Sequence, residues 1–311
     1  MSSFSGFTPE NFDAFAQEKW ASHAYNRERL EVKLSLTSLG KACEPDILQT
    51  LPDLEMGLTE ERPSIFNQHK VRAQSVYFLR NEVARQEIGV ILDKGASIAQ
   101  HVSDPALHHR HINLAVRIGL GGLEAGLWLH PNARIDWKNV VERCSSHWER
   151  DNLNDELKTL PETVVYRQER DQFAAGKAVR EVDCEELLHG FSAGSAPIFF
   201  GEIIDRGDPV LASPDLVGRL SALFAGLLDL YSFISWRRDN DFHAIKDVLK
   251  EQKEQAQRQF RDVKPGDEVR VLKGLAVGRL GVVEELERKG VVKVRLGTIV
   301  ISLKAEELGE P

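Results

Sequence analysis

The sequence predicts an α+β protein in three parts. Residues 1–240 form a mixed, mainly antiparallel sheet with packed helices. Residues 241–262 form a polar helical connector, and residues 263–311 a small all-β barrel. Three observations predict this. Residues 111–130, HINLAVRIGLGGLEAGLWLH, read as a β-hairpin with a derivable register. The stretch from Ser213 to about Arg238 places Leu216, Leu220, Leu223, Phe224, Leu227, Leu228, Tyr231 and Ile234 on one wide helical stripe. From residue 263 the chain changes to short β-branched runs separated by glycines and charged turns.

The chain is long enough to bury a sizeable core and to split into two domains. A net charge of −8 excludes a generally basic nucleic-acid-binding surface, so any such surface has to be local. The start, MSSFSGFTPENF, lacks the pattern of a signal peptide, and the longest apolar stretch is broken by Gly218, Arg219, Ser221 and Asp229. No membrane association is expected. Cys43, Cys144 and Cys184 are odd in number, far apart and outside CxxC spacing. They predict free thiols in a reducing cytoplasm and argue against a zinc knuckle.

In chain order, Thr8-Pro9-Glu10 is a helix start, and Phe12, Phe15, Ala16 and Trp20 follow at helical spacing. Leu30–Leu39 fits strand or helix. Residues 44–64, with three prolines and many acids, predict loop with a short helix. Ser75–Arg80 is a strand, Glu82–Leu92 a helix, and Ala96–Val102 a possible continuation of it. In the hairpin, pairing Ile118 with Leu123 places Ile112/Leu129, Leu114/Leu127, Val116/Ala125 and Ile118/Leu123 on one apolar face. His111/His130, Asn113/Trp128, Ala115/Gly126 and Arg117/Glu124 share the other, with Arg117 and Glu124 as a cross-strand ion pair. A helix follows, N-capped by Asp136 and running to Trp148 with Val140, Val141, Cys144, His147 and Trp148 inward. Residues 150–162 are polar, Val164–Tyr166 is a short strand, Asp183 caps a short helix, and Ala196–Ile204 is a strand.

His101, His108, His109, His111 and His130 crowd this region. His109, His111, Asn113 and His130 share a face in the expected register. Imidazoles meeting at a hairpin mouth, with Asp136 as a carboxylate, could bind a divalent metal, hold a phosphate or act as acid and base. Trp128 beside Asn113 offers a ligand groove. The competing reading is a polar hairpin end with solvated or packed histidines, since no complete metal-binding spacing is present. No metal or other cofactor is therefore expected. Gly190–Gly194 matches GxSxG, but a helix precedes it and a strand follows, the reverse of a nucleophile elbow. Ser192 is expected to be a loop residue.

Two resemblances add to this. GFTPENFDAF, Arg29-Leu30, Leu39-Gly40 and SVYFLR resemble the bacterial YktB-like domains across residues 1–140. That implies an α+β layer and carries no activity. Pro265–Val271 (PGDEVRV) and Gly278–Glu285 (GRLGVVEE) resemble a KOW motif in an SH3-like barrel, as in NusG-type transcription factors and ribosomal proteins. The ending VKVRLGTIVISLKAEEL is similar to the barrel segment of the second class of bacterial MutS homologues. In this reading Gly266 and Gly281 permit tight turns, and Lys273, Arg279, Lys293 and Arg295 are candidate contacts to phosphates or to a protein.

Residues 261–311 hold ten lysines and arginines against nine acids and no aromatic residue, so base stacking is not expected. The resemblance implies a bacterial, cytoplasmic, non-catalytic adaptor that binds RNA, DNA, or a ribosome or RNA polymerase complex. The alternative is a metal- or phosphate-dependent enzyme built on His111 and His130, with the barrel as a targeting arm.

Overall fold

A computed structural model describes residues 4–64, 67–86, 88, 106–168, 173–193, 196–241, 264–271, 276–286, 291–297, 299–304 and 308–309. The described residues through 241 make one compact unit and those from 264 a second. The expected connector after Asp241, Lys273, His101 and the segment Ala96–Val102 lie outside the described residues.

The first unit is a seven-stranded, wholly antiparallel sheet in the order β1-β2-β3-β4-β7-β5-β6. Its strands are β1 (Leu54–Leu58), β2 (Ala73–Arg80), β3 (Asn113–Gly119), β4 (Gly122–Leu129), β5 (Val165–Gln168), β6 (Lys177–Ala178) and β7 (Ile198–Asp205). The hairpin register holds from Asn113↔Trp128 to Ile118↔Leu123, because alternation with one face buried penalises any slip. Its apolar face joins Val76, Phe78, Phe200 and Ile204 in the main core.

Helices α1 (Pro9–Asp13), α2 (Asn26–Thr50), α3 (Arg134–Arg143), α4 (His147–Thr159), α5 (Cys184–Ala193) and α6 (Asp215–Ile234) belong to this unit, and residues 82–86 and 88, within the helix expected over 82–92, are helical as well. α1 is shorter than the spacing predicts, although Phe12 and Phe15 are buried as expected. α6 is the central packing helix, with Leu220, Phe224, Leu227 and Ile234 fully buried. It is also long and apolar enough to cross a membrane, but half of that stretch is buried within the protein.

Three expectations change. Residues 44–50 continue α2 through Pro45, because Cys43 and Ile47 keep its face in the core despite the lost N–H. Residues 54–58 are then a strand, β1. The helix expected from Asp136 to Trp148 breaks at Cys144–Ser146 into α3 and α4. Trp148 consequently faces solvent, and α4 buries Leu153 and Leu157 instead. Ser192 stands in the last turn of α5, away from any strand-to-helix elbow.

The second unit is a five-stranded antiparallel sheet in the order β11-β10-β9-β8-β12. Its strands are β8 (Glu268–Val271), β9 (Leu280–Leu286), β10 (Val291–Leu296), β11 (Ile299–Lys304) and β12 (Leu308–Gly309). Val269, Val283, Val292, Val294 and Leu308 form its core, while Arg270 and Arg295 point outward. No pairing among the described residues closes β12 onto β11. Gly266 has the positive φ of a turn, at 98°, whereas Gly281 lies inside β9. A Cβ on Gly281 would come within 2.5 Å of Val294 and Leu296, so that glycine serves close packing and not a turn.

Candidate functional site

At the open end of the hairpin the expected histidine face divides in two. Arg80 ends β2 in phase with Val76 and Phe78, so its guanidinium enters the main core. Asp136, in the first turn of α3, meets it there as a buried acceptor and not as a helix cap. Its Oδ2 accepts from Arg80 Nη1 at 3.0 Å and from the Ile112 N–H at 3.0 Å. Its Oδ1 accepts from the Trp236 N–H at 2.8 Å and from Arg80 Nη2. Arg80 Nη2 also donates to the Trp236 carbonyl at 2.8 Å.

Burial alone would raise the Asp136 carboxyl. The Arg80 charge, its hydrogen bonds and the two N–H donors outweigh that and hold it below the usual carboxylate value. His111 lies on this side, with Nδ1 3.4 Å from Arg80 Nη1. Burial and then the Arg80 charge push its pKa down to about 3, so it is neutral. The expected His111/His130 pair does not form: β3 begins at Asn113 and β4 ends at Leu129, which frees His111 to turn inward.

The remaining residues of that set pack on the opposite face. His109 stacks on His130 with centroids 4.1 Å apart and planes 9° from parallel. His108 meets His109 edge-on at 4.3 Å and stacks on Tyr77 at 4.8 Å. Asn113 Nδ2 donates to the carbonyls of His108 (2.8 Å) and His111 (3.1 Å) and ties the loop to the strand. Trp128 is buried against Phe199 at 4.5 Å with Arg117 over its ring, so the expected groove is filled by packing.

Glu124 is fully buried. It accepts from the Phe173 N–H and pairs with Arg167, both at 2.6 Å, and the expected cross-strand ion pair with Arg117 is also present, at 3.6 Å. His111 and Asp136 are thus brought together through Arg80, and His109 and His130 through stacking, as two separate groups. Among the described residues no group of three or more His, Cys, Asp or Glu side chains is disposed to hold a metal ion. Sequence reasoning missed Arg80 and Trp236. An arginine in phase with the core residues of SVYFLR was the available signal, because a buried guanidinium requires an acid.

In the second unit Lys293 pairs with Glu285 at 2.9 Å and Arg295 with Glu284 at 3.1 Å. Arg279 is exposed. Exposed aliphatic side chains stand among these charges: Val277 is 52% exposed, Leu280 51%, Ile299 61% and Val300 45%. Ile299 and Val300 belong to β11, which ends the sheet order.

No family model matches the chain. A search of curated proteins likewise found no match.

Proposed function

We propose that the chain is a non-catalytic adaptor whose C-terminal unit binds an extended segment of a partner protein along β11. The observation that carries this reading is the conjunction of an edge strand with exposed Ile299 and Val300. An edge strand offers unpaired N–H and C=O groups to an added strand, and the consecutive Ile299 and Val300, projecting to opposite faces of the sheet, supply an apolar contact on either side of that strand. The KOW-like, SH3-like resemblance of residues 265–285 supports a binding module in the cytoplasm, attached to a transcription or translation assembly.

A phosphate-binding surface is less well supported. Lys293 and Arg295, two of its four candidate cations, already meet acids, so counterion release on binding nucleic acid would be small. On the first unit, the histidines and Asp136 are occupied in packing and in a buried ion pair, which supports a scaffold role and not catalysis.

The test uses the full chain as bait, with and without nuclease, beside Val300→Asp and a control, Leu34→Asp, on the exposed side of α2. The expected result is one nuclease-resistant protein partner, retained by Leu34→Asp and lost with Val300→Asp. Equal capture by all three baits, or capture abolished by nuclease, overturns the reading.

A further inference from the structure

The face of the first sheet opposite the main core carries three charges between aromatic side chains. Arg117 on β3, Glu124 on β4 and Arg167 on β5 project there together with Trp128 and Phe199. The floor between them is nearly bare, since Ala115 faces Gly126 and Gly126 faces Gly201. Long side chains can therefore lie across the strands. Arg167 passes Phe199, with its guanidinium carbon 5.0 Å from that ring, and reaches Glu124 two strands away. Arg117 lies over Trp128 in the same way, at 5.2 Å.

Hydrogen bonds are shared unevenly in this cluster. Glu124 Oε1 meets both the Phe173 N–H and Arg167 Nη1 at 2.6 Å, and Arg167 Nη1 also donates to the Ala174 carbonyl at 2.9 Å. Glu124 Oε2 accepts no hydrogen bond, and its 3.6 Å separation from Arg117 Nη1 is too long for one. Among the described residues Arg117 thus has an ion pair and an aromatic contact but no hydrogen bond. Arg167 Nε is likewise buried without an acceptor.

Two guanidiniums face one carboxylate, which leaves one positive charge in excess where Glu124 is fully buried and Arg167 nearly so. Burial holds the Arg117 pKa below its ordinary value, Glu124 opposes that shift, and Arg167 adds to it. A partly desolvated cation whose donors lack acceptors is costly. The Arg117 side chain is still 21% exposed, so a solute can reach it. Ser75, directly across on β2, brings a hydroxyl to the same face. Tyr77 and Ile203, both partly buried, flank the cluster as apolar neighbours of Trp128 and Phe199.

We propose that Arg117 anchors a binding site for a small monocarboxylate with an apolar body. A single negative charge balances the excess. The planar guanidinium fork matches a carboxylate through two parallel N–H···O bonds. A phosphate dianion brings one charge too many beside Glu124 Oε2, which has no hydrogen-bond donor of its own. The apolar body of the ligand lies against the partly open apolar cluster. The Trp128 ring, already covered by Arg117 and Phe199, senses the ligand through Arg117 without touching it.

The experiment labels the full-length protein with 5-fluorotryptophan and follows its five tryptophan signals by fluorine NMR. The probes are sodium benzoate, sodium acetate and inorganic phosphate at constant ionic strength, and Trp128→Phe assigns the Trp128 signal. Benzoate should move that signal saturably and leave the signal of the exposed Trp148 in place. Acetate, without the apolar body, should bind about tenfold or more weakly, and phosphate should also bind more weakly than benzoate. Arg117→Met should raise the benzoate dissociation constant about tenfold or more, and Arg117→Lys, which keeps the charge and loses the fork, should fall between. The wild-type comparison of the three anions decides the question even where Arg117→Met misfolds. An unmoved Trp128 signal, acetate or phosphate binding as tightly as benzoate, or unchanged benzoate binding by folded Arg117→Met would each overturn the proposal.

Discussion

Removing the Asp136 carboxylate should destabilise the first unit more than almost any other single change. In Asp136→Ala the Arg80 guanidinium stays in place, 3% exposed and without its acid. Breaking a buried pair from one side costs about 3–5 kcal/mol. The N–H groups of Ile112 and Trp236 are orphaned as well. Each adds about 1–3 kcal/mol wherever water does not replace the carboxylate. The total therefore lies at or above the upper end of the first range, and the melting temperature of this unit should fall by roughly 10 °C or more.

Urea titration followed by tryptophan fluorescence reads this directly, since Trp137 and Trp236 flank the pair. A cycle of Arg80→Met, Asp136→Asn and their double variant isolates the coupling. The double should be less destabilised than the sum of the singles by about 2 kcal/mol or more. A cost for Asp136→Ala below about 1 kcal/mol, or additivity within about 0.5 kcal/mol, would refute the claim that this pair anchors the sheet end to α3 and α6.

Further outcomes follow from the same structure. His111 has a folded pKa of about 3, so between that value and its ordinary pKa of about 6.5 only the unfolded chain takes up its proton. Stability is full above pH 6.5 and should drop by about 2 kcal/mol by pH 5; His111→Asn should flatten that slope in urea titrations at successive pH values. Asp136, held below its ordinary value, contributes above about pH 4, and that contribution is lost as pH falls through its folded pKa, so acid unfolding should start at higher pH in Asp136→Asn. A Cβ on Gly201 would stand 2.1 Å from the Ala125 carbonyl, so Gly201→Ala should cost about 1–3 kcal/mol by spreading β4 and β7. On α6 nothing lies within 4 Å of the corresponding position on Gly218, and Gly218→Ala should stabilise by about 0.5–1 kcal/mol, both read as shifts in melting temperature.

Much of the fold was legible because its signals are local or strictly periodic. The hairpin register followed from period-two alternation, and the start of α6 from Ser213, whose Oγ accepts from the Asp215 N–H at 3.1 Å. The start of α5 followed from Asp183, which accepts from the Glu186 N–H at 2.7 Å. Misreadings arose where tertiary contacts override local preference. Pro45 suggested an end to α2 that packing of Ile47 prevents, and the polar run 150–162 concealed Leu153 and Leu157 at helical spacing. The candidate site was less legible. Its residue types were identified, but their partners were not: Asp136 is satisfied by Arg80, 56 residues before it, and by Trp236, 100 residues after it.

By itself the sequence determined where α1, α5 and α6 begin, which hairpin face is apolar, and that the last fifty residues are a separate run of short strands. Periodicity, caps and turns act over a few residues and are therefore written along the chain. Only the tertiary structure decided that His111 turns inward beside Arg80 and that Glu124 takes Arg167 in addition to Arg117. Those outcomes depend on which buried charge finds a partner once water is excluded, and that partner is brought by another part of the fold.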